Sequence, residues 1–183
     1  MIMCDDEKLA ERVRSLRNLC FVPERRFVHY DLGHNFRMTN IQAALGVAQL
    51  EKIDAALAKK RHIGARYQEL LGGVKWLSLP LPETSYAQNL YWVFGIVLDN
   101  KVPIDANAFE KRLQEKGVGT RPFFWPMHEQ PVFRQQGMFE GEHYPVAEKL
   151  ARRGFYIPSG LALTDVQMEY VAAQVKSVIK ELL

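Results

Sequence analysis

Cysteine is nearly absent: the sequence contains only Cys4 and Cys20, and no CxxC spacing. That excludes a disulfide framework and a cysteine-built zinc site, and it suits a reducing, cytoplasmic setting. No apolar run approaches the roughly 18 to 20 residues needed to cross a bilayer, and Met1-Ile2-Met3-Cys4 gives way to Asp5-Asp6-Glu7 rather than to a signal-peptide core. The formal net charge is only +3, with basic and acidic residues interspersed, so the electrostatic footprint of a nucleic-acid binder is missing. Missing too are GxGxxG, GxxxxGK, GxSxG and HExxH. His29 and His34 lie near each other without a carboxylate or thiol at metal spacing, so no metal ligand is expected.

What is present is an ordinary globular composition: 183 residues, 48% hydrophobic and 25% charged, enough for one domain, or for one domain and part of another. Ile2 to Cys4 reads as a short strand that would need a pairing partner, and the chain looks cut rather than begun there. A helix follows from Asp5 or Asp6, with Leu9, Val13 and Leu16 on its apolar face. Thr39-Asn40-Ile41-Gln42 has capping-box spacing, and the three- and four-residue recurrence of Ile41, Leu45, Ala48, Leu50, Ile53 and Leu57 predicts one helix of about 30 residues, to about Leu70. Gly72-Gly73 would stop it. Strands are expected at Val74–Leu79, Leu90–Leu98 and Val118–Phe124, and a helix capped by Asp105 should end at Gly117. A Pro-rich loop leads to a short helix opened by Pro145 and ended by Gly154. A second capping box, Thr164 to Gln167, starts a final helix carrying Val171, Val175, Val178 and Leu182.

Chemistry concentrates in two stretches. Gly33-His34-Asn35-Phe36-Arg37-Met38-Thr39 joins an amide, a guanidinium and a hydroxyl ahead of a helix N-terminus, a donor set suited to phosphate or carboxylate. The same residues also serve a plain capped loop, with Arg37 tethering it to an acidic neighbour. Thr120 to Pro131 interleaves Arg121, Phe123, Phe124, Trp125 and His128 with prolines that stiffen the chain. Arg and aromatic faces suit phosphate, sugar or base. The competing reading makes the aromatics core or interface and His128 a hydrogen-bonded structural histidine. The basic runs Arg25-Arg26, Lys59-Lys60-Arg61 and Arg152-Arg153 read as solvated helix faces.

Taken together, Asp5–Asn18, Gly33–Gly46, Thr120–Pro131 and Leu161 to the C-terminus resemble the DegT/DnrJ/EryC/StrS family of pyridoxal-phosphate-dependent aminotransferases that act on nucleotide-linked keto sugars. The run from Arg121 to His128 is most similar to perosamine synthases, which aminate a GDP-linked 4-keto-6-deoxymannose with glutamate as amino donor. The resemblance implies an α/β chain, the C-terminal part of the aspartate-aminotransferase fold. Residues 1–48 would be the tail of the large cofactor domain and the start of a long connecting helix. Residues 49–183 would be the rest of that helix and a small domain with a short antiparallel sheet.

The same resemblance places the family's cofactor-holding lysine, the acid at the pyridinium nitrogen and most of the phosphate cradle upstream of Ile2–Cys4. The eleven lysines present fall elsewhere in the pattern. No catalytic residue is therefore expected here, and the chain alone is expected to hold no pyridoxal phosphate covalently and to be inactive. Asn35 is carried over as a cofactor-phosphate ligand reaching across a dimer, with Arg37 beside it. His34, Arg121, Trp125 and His128 would border the nucleotide-sugar pocket. Self-association through uncovered apolar surface is expected. The alternative is a truncated, non-catalytic homologue or binding module that completes a partner's site.

Overall fold

The computed structural model describes residues 2–25 and 27–183; Arg26, half of one basic pair, lies outside the described residues. The chain divides into two compact units, Met1–Ile53 and Asp54–Leu183.

In the first unit, Ile2 to Cys4 is irregular rather than a strand. A strand exists only through a neighbour's hydrogen bonds, and no described segment pairs with these residues. Helix α1 spans Glu7–Arg17, and the Asp6 carboxylate accepts the Leu9 N–H at 3.0 Å. Its expected apolar face finds no core, since no residue of α1 is buried. Leu19 and Cys20 follow in the left-handed region, with φ of 62° and 50°, a costly conformation for residues other than glycine. The Gly33–Thr39 segment lies against this turn: the His34 N–H donates to the Leu16 carbonyl at 2.7 Å, and the Leu19 N–H to the His34 carbonyl at 3.1 Å. Gly33 is needed there, because a Cβ would sit 2.4 Å from the Cys20 backbone nitrogen.

Helix α2 (Asn40–Leu50) opens with the expected capping box between Thr39 and Gln42. The single long helix is not found. The chain turns at Glu51-Lys52, where the Lys52 N–H bonds the Gln49 carbonyl three residues back, and α3 begins anew at Ile53 and runs to Leu71. With no proline or glycine at this point, periodicity alone carries straight through the break.

The second unit holds the core. A four-stranded antiparallel sheet has the order β1-β2-β4-β3, from β1 (Leu77–Ser78), β2 (Phe94–Leu98), β3 (Arg121–Pro122) and β4 (Gly154–Ile157). Period-two alternation points Phe94, Ile96 and Leu98 of β2 and Phe155 and Ile157 of β4 into a cluster. Ile63, Tyr67 and Leu71 of α3, Phe109 and Leu113 of α4 (Ala106–Glu115), and Met168, Val171, Val175 and Val178 of α7 (Asp165–Leu182) complete it. Asp105 caps α4, Gly117 ends it with φ of 74°, and Thr164 caps α7, all as the residue types predict. The expected strands at Leu90–Leu98 and Val118–Phe124 shrink to Phe94–Leu98 and Arg121–Pro122. The Pro-rich stretch gains a 3-10 turn at Met127–Glu129 and a short α5 (Pro131–Arg134). Central strand β4 has no counterpart in the sequence reading. It is four residues long and follows α6 (Pro145–Arg153) directly, too short for alternation to show.

Candidate functional site

The residues nominated from sequence fall in both units. In the first, Asn35 pairs in an isolated bridge with Asn18 at the end of α1, so the loop's backbone is fixed while its side chains stay exposed. Among the described residues no acid tethers Arg37; its Nε donates to Asn35 Oδ1 at 3.1 Å. That leaves the amide NH2 of Asn35 and the terminal guanidinium N–H groups of Arg37 without an acceptor among the described residues. His34 stacks on Phe36, with ring centroids 4.9 Å apart and planes 10° from parallel. Asn35 and Arg37 together are an exposed donor set of the kind that receives a phosphate or carboxylate.

In the second unit, β3 delivers Arg121 and the chain beyond it delivers Trp125 to one cleft of about 1290 Å³, whose walls include Glu110 and Lys111 of α4, Phe124, and Arg152 of α6. Burial raises the Glu110 pKa, against a hydrogen bond from Thr120 that lowers it. The aromatic run splits by role. Phe123 lies over Gly95 and Gly154 with its ring 4.6 Å from that of Tyr156, filling the sheet face that those glycines leave bare. Phe124 is 80% exposed.

His128 stands apart from the cleft. It is buried at 4% exposure, its Nε2 lies 3.0 Å from Glu148 Oε1, and its ring meets Tyr144 edge-on. That is the arrangement of a structural histidine holding the 3-10 turn to α6. Glu148 also accepts the Tyr144 backbone N–H at 2.8 Å, and this bond first, with His128 second, holds its carboxyl below the usual carboxylate range. Next to it, Arg152 grips both oxygens of Glu129 at 2.8 and 3.1 Å, and that pairing keeps Glu129 below the usual range as well. His128, Glu129 and Glu148 bring ligand atoms within 4.8 Å of one another, but with Arg152 on Glu129 and Tyr144 on Glu148 they form a salt-bridge network.

Some functional-looking side chains escaped sequence reasoning because they sit in basic runs that read as solvent-facing. The Lys60 ammonium donates to the Trp92 and Ser159 carbonyls at 2.8 and 2.6 Å, and burial lowers its pKa. Arg153 wraps the turn after β2, donating to the carbonyls of Leu98, Asp99, Val102 and Ile104. The available signal for Arg152 was its position four residues after Glu148 on one helix. Among the described residues, no helix is long and apolar enough to cross a membrane.

Residues 1–176 match the model of the DegT/DnrJ/EryC1/StrS aminotransferase family. EpsN of Bacillus subtilis (strain 168), provisionally named a pyridoxal phosphate-dependent aminotransferase, is 34% identical over 170 residues, 90% of this chain and 42% of EpsN. The GDP-perosamine synthase of Vibrio cholerae is 29% identical over 180 residues, 97% of this chain and 47% of that protein. The crystal structure of the aminotransferase TlmJ from Streptoalloteichus hindustanus superposes with a TM-score of 0.83 at 26% identity, covering 97% of this chain and 46% of TlmJ. The chain thus spans about half the length of the relatives it matches. Its sequence and fold agree, and the chain belongs to the DegT/DnrJ/EryC1/StrS aminotransferase family.

Proposed function

We propose that this chain is the C-terminal part of a pyridoxal-phosphate-dependent aminotransferase that moves an amino group from glutamate to a nucleotide-linked 4-keto-6-deoxy sugar, as a GDP-perosamine synthase does, in the cytoplasm. The observation that carries the reading is the family match over residues 1–176, with a GDP-perosamine synthase aligned along 97% of the chain. The free thiols of Cys4 and Cys20 agree with a reducing compartment.

The residues present fit one end of the cofactor. Asn35 and Arg37 offer hydrogen-bond donors and a fixed positive charge for its phosphate. The covalent end is not matched: Lys60, the lysine whose amine burial favours in the neutral form, has its nitrogen held by two backbone carbonyls. In the full reaction pyridoxal phosphate supplies the electron sink through which the amino group moves. This chain's share would be phosphate binding at Asn35 and Arg37, beside His34 in the first unit, and substrate contact at Arg121 and Trp125 in the second. His128 acts there by fixing the turn after Trp125. Alone, the chain would not transaminate.

A non-catalytic partner role is favoured by α2, where Ile41, Leu45, Val47 and Leu50 are all more than half exposed. Exposed apolar side chains around a helix seek a second polypeptide, either another copy of this chain or a full-length relative whose site Asn35 would complete. The test is co-expression with a full-length GDP-perosamine synthase whose own phosphate-loop amide has been removed. Restored activity that Asn35→Ala abolishes is expected. Association without any effect of Asn35→Ala, or no association, would overturn the assignment of that loop.

A further inference from the structure

We propose that Arg152 is a positioning residue: clamped by Glu129, its guanidinium holds the Trp125 ring as the aromatic wall of the cleft that Arg121 also lines. The inference rests on the functional reading only for what the cleft receives; the clamp itself is a matter of geometry.

Trp125 precedes Pro126, which confines the Trp125 backbone to extended conformations but leaves its ring free to turn. The Gln130 amide reaches only the Trp125 carbonyl, at 3.5 Å, and so acts on the main chain. The ring itself is met by Arg152, whose guanidinium carbon lies 4.9 Å from the ring centroid. A guanidinium is planar, so it can present its face to an aromatic ring while its edge bonds a carboxylate in two places. Arg152 does both. Its edge takes the two oxygens of Glu129 at 2.8 and 3.1 Å, and NH1 also donates to the Glu148 carbonyl one turn back in α6 at 3.2 Å. Glu129 lies four residues beyond Trp125, on the 3-10 turn that His128 locks to α6 through Glu148. Arginine, ring and turn therefore close a loop in which each fixes the next. Phe124 shows the contrast: it lines the same cleft, has no ring or cationic partner among the described residues, and is 80% exposed against 46% for Trp125.

The clamp makes Trp125 depend on Glu129 through Arg152. Removing Glu129 should free the ring as fully as removing Arg152, and removing both should do no more. A lysine at 152 keeps the charge but loses the face-and-edge geometry, so it should not restore the ring.

The test uses the full chain with Trp76→Phe and Trp92→Phe, leaving Trp125 as its sole tryptophan, and circular dichroism to confirm folding. Acrylamide quenching of Trp125 should rise about twofold in Arg152→Ala and equally in Glu129→Ala, without further increase in the double variant. Glu129→Gln, which preserves shape and removes only charge, should behave like Glu129→Ala, and Arg152→Lys like Arg152→Ala. Quenching that stays at the parent value in Glu129→Gln, or single effects that add in the double variant, would overturn the proposal. A second arm titrates GDP, where the single variants should each weaken binding about threefold or more. A parent chain that does not bind GDP would remove the nucleotide-sugar reading of the cleft, and the quenching series would still decide the clamp.

Discussion

The two units of this chain make similar use of capped helices and very different use of burial. Residues 54–183 enclose a continuous cluster in which Ile63, Tyr67, Phe94, Phe109, Phe155 and Val175 are wholly withdrawn from water. In residues 1–53 the one buried hydrophobic side chain among those described is Cys20, and order comes from caps and from backbone hydrogen bonds between α1 and the Gly33–Thr39 loop. Propensity and capping shape a helix, but burial of apolar area supplies most of the free energy that keeps it. The second unit thus has a core of its own, whereas the described part of the first has almost none.

The largest expected effect follows from separating them. The polypeptide 54–183 should retain a cooperative thermal transition close to that of the whole chain, whereas 1–53 alone should show no cooperative transition by circular dichroism. A cooperative melt of 1–53 as a monomer would break the comparison. Next in size, Phe109→Ala should destabilise the second unit by about 3 to 5 kcal/mol in urea unfolding. Ile41→Ala, 77% exposed on α2, should stay within about 0.5 kcal/mol. A smaller cost, about 1 to 3 kcal/mol, is expected for Gly64→Ala, because the added methyl would meet the Tyr91 ring at 2.1 Å.

Much of this architecture was legible in residue types. Thr39, Asp105, Thr164, Pro145 and Gly117 mark helix ends by local chemistry, and local chemistry reads correctly without tertiary knowledge. What failed needed the third dimension. Ile2–Cys4 has strand composition but no pairing neighbour among the described residues, and the break at Glu51-Lys52 carries no breaker residue. Strand β4 is defined by its partners Phe94–Val97, not by its own four residues. At the site, Arg121 and Trp125, close in sequence, line one cleft. His128 turned to α6 because its partner Glu148 lies twenty residues on, and Arg152 was hidden in a basic pair for the same reason.

The smallest expected effect is on pH. The carboxyls of Glu129, Glu148 and Asp165 sit below their ordinary values through Arg152, through the Tyr144 N–H and His128, and through His62 respectively. A depressed folded pKa means that the folded form binds fewer protons, so these groups stabilise above the unfolded value near ~4 and lose that contribution as pH falls through the folded one. Glu110 runs the other way: raised by burial, it favours folding when protonated and withdraws that contribution as pH rises through its folded value. Thermal melts should therefore show the second unit weakening in acid, with Glu129→Gln flattening part of that slope and Glu110→Gln leaving the acid limb intact. An acid limb unchanged by Glu129→Gln would remove the Arg152 pair from the account.

In the proposed function these residues finish a cofactor site whose lysine another segment supplies. The most direct test of that reading is to mix the purified chain with pyridoxal phosphate, scan for an absorbance band near ~420 nm, and treat with borohydride before mass analysis of the peptides. The account predicts no such band and no lysine carrying the cofactor. A band that borohydride fixes onto Lys60, or onto any other lysine of this chain as a single stoichiometric adduct, would contradict it.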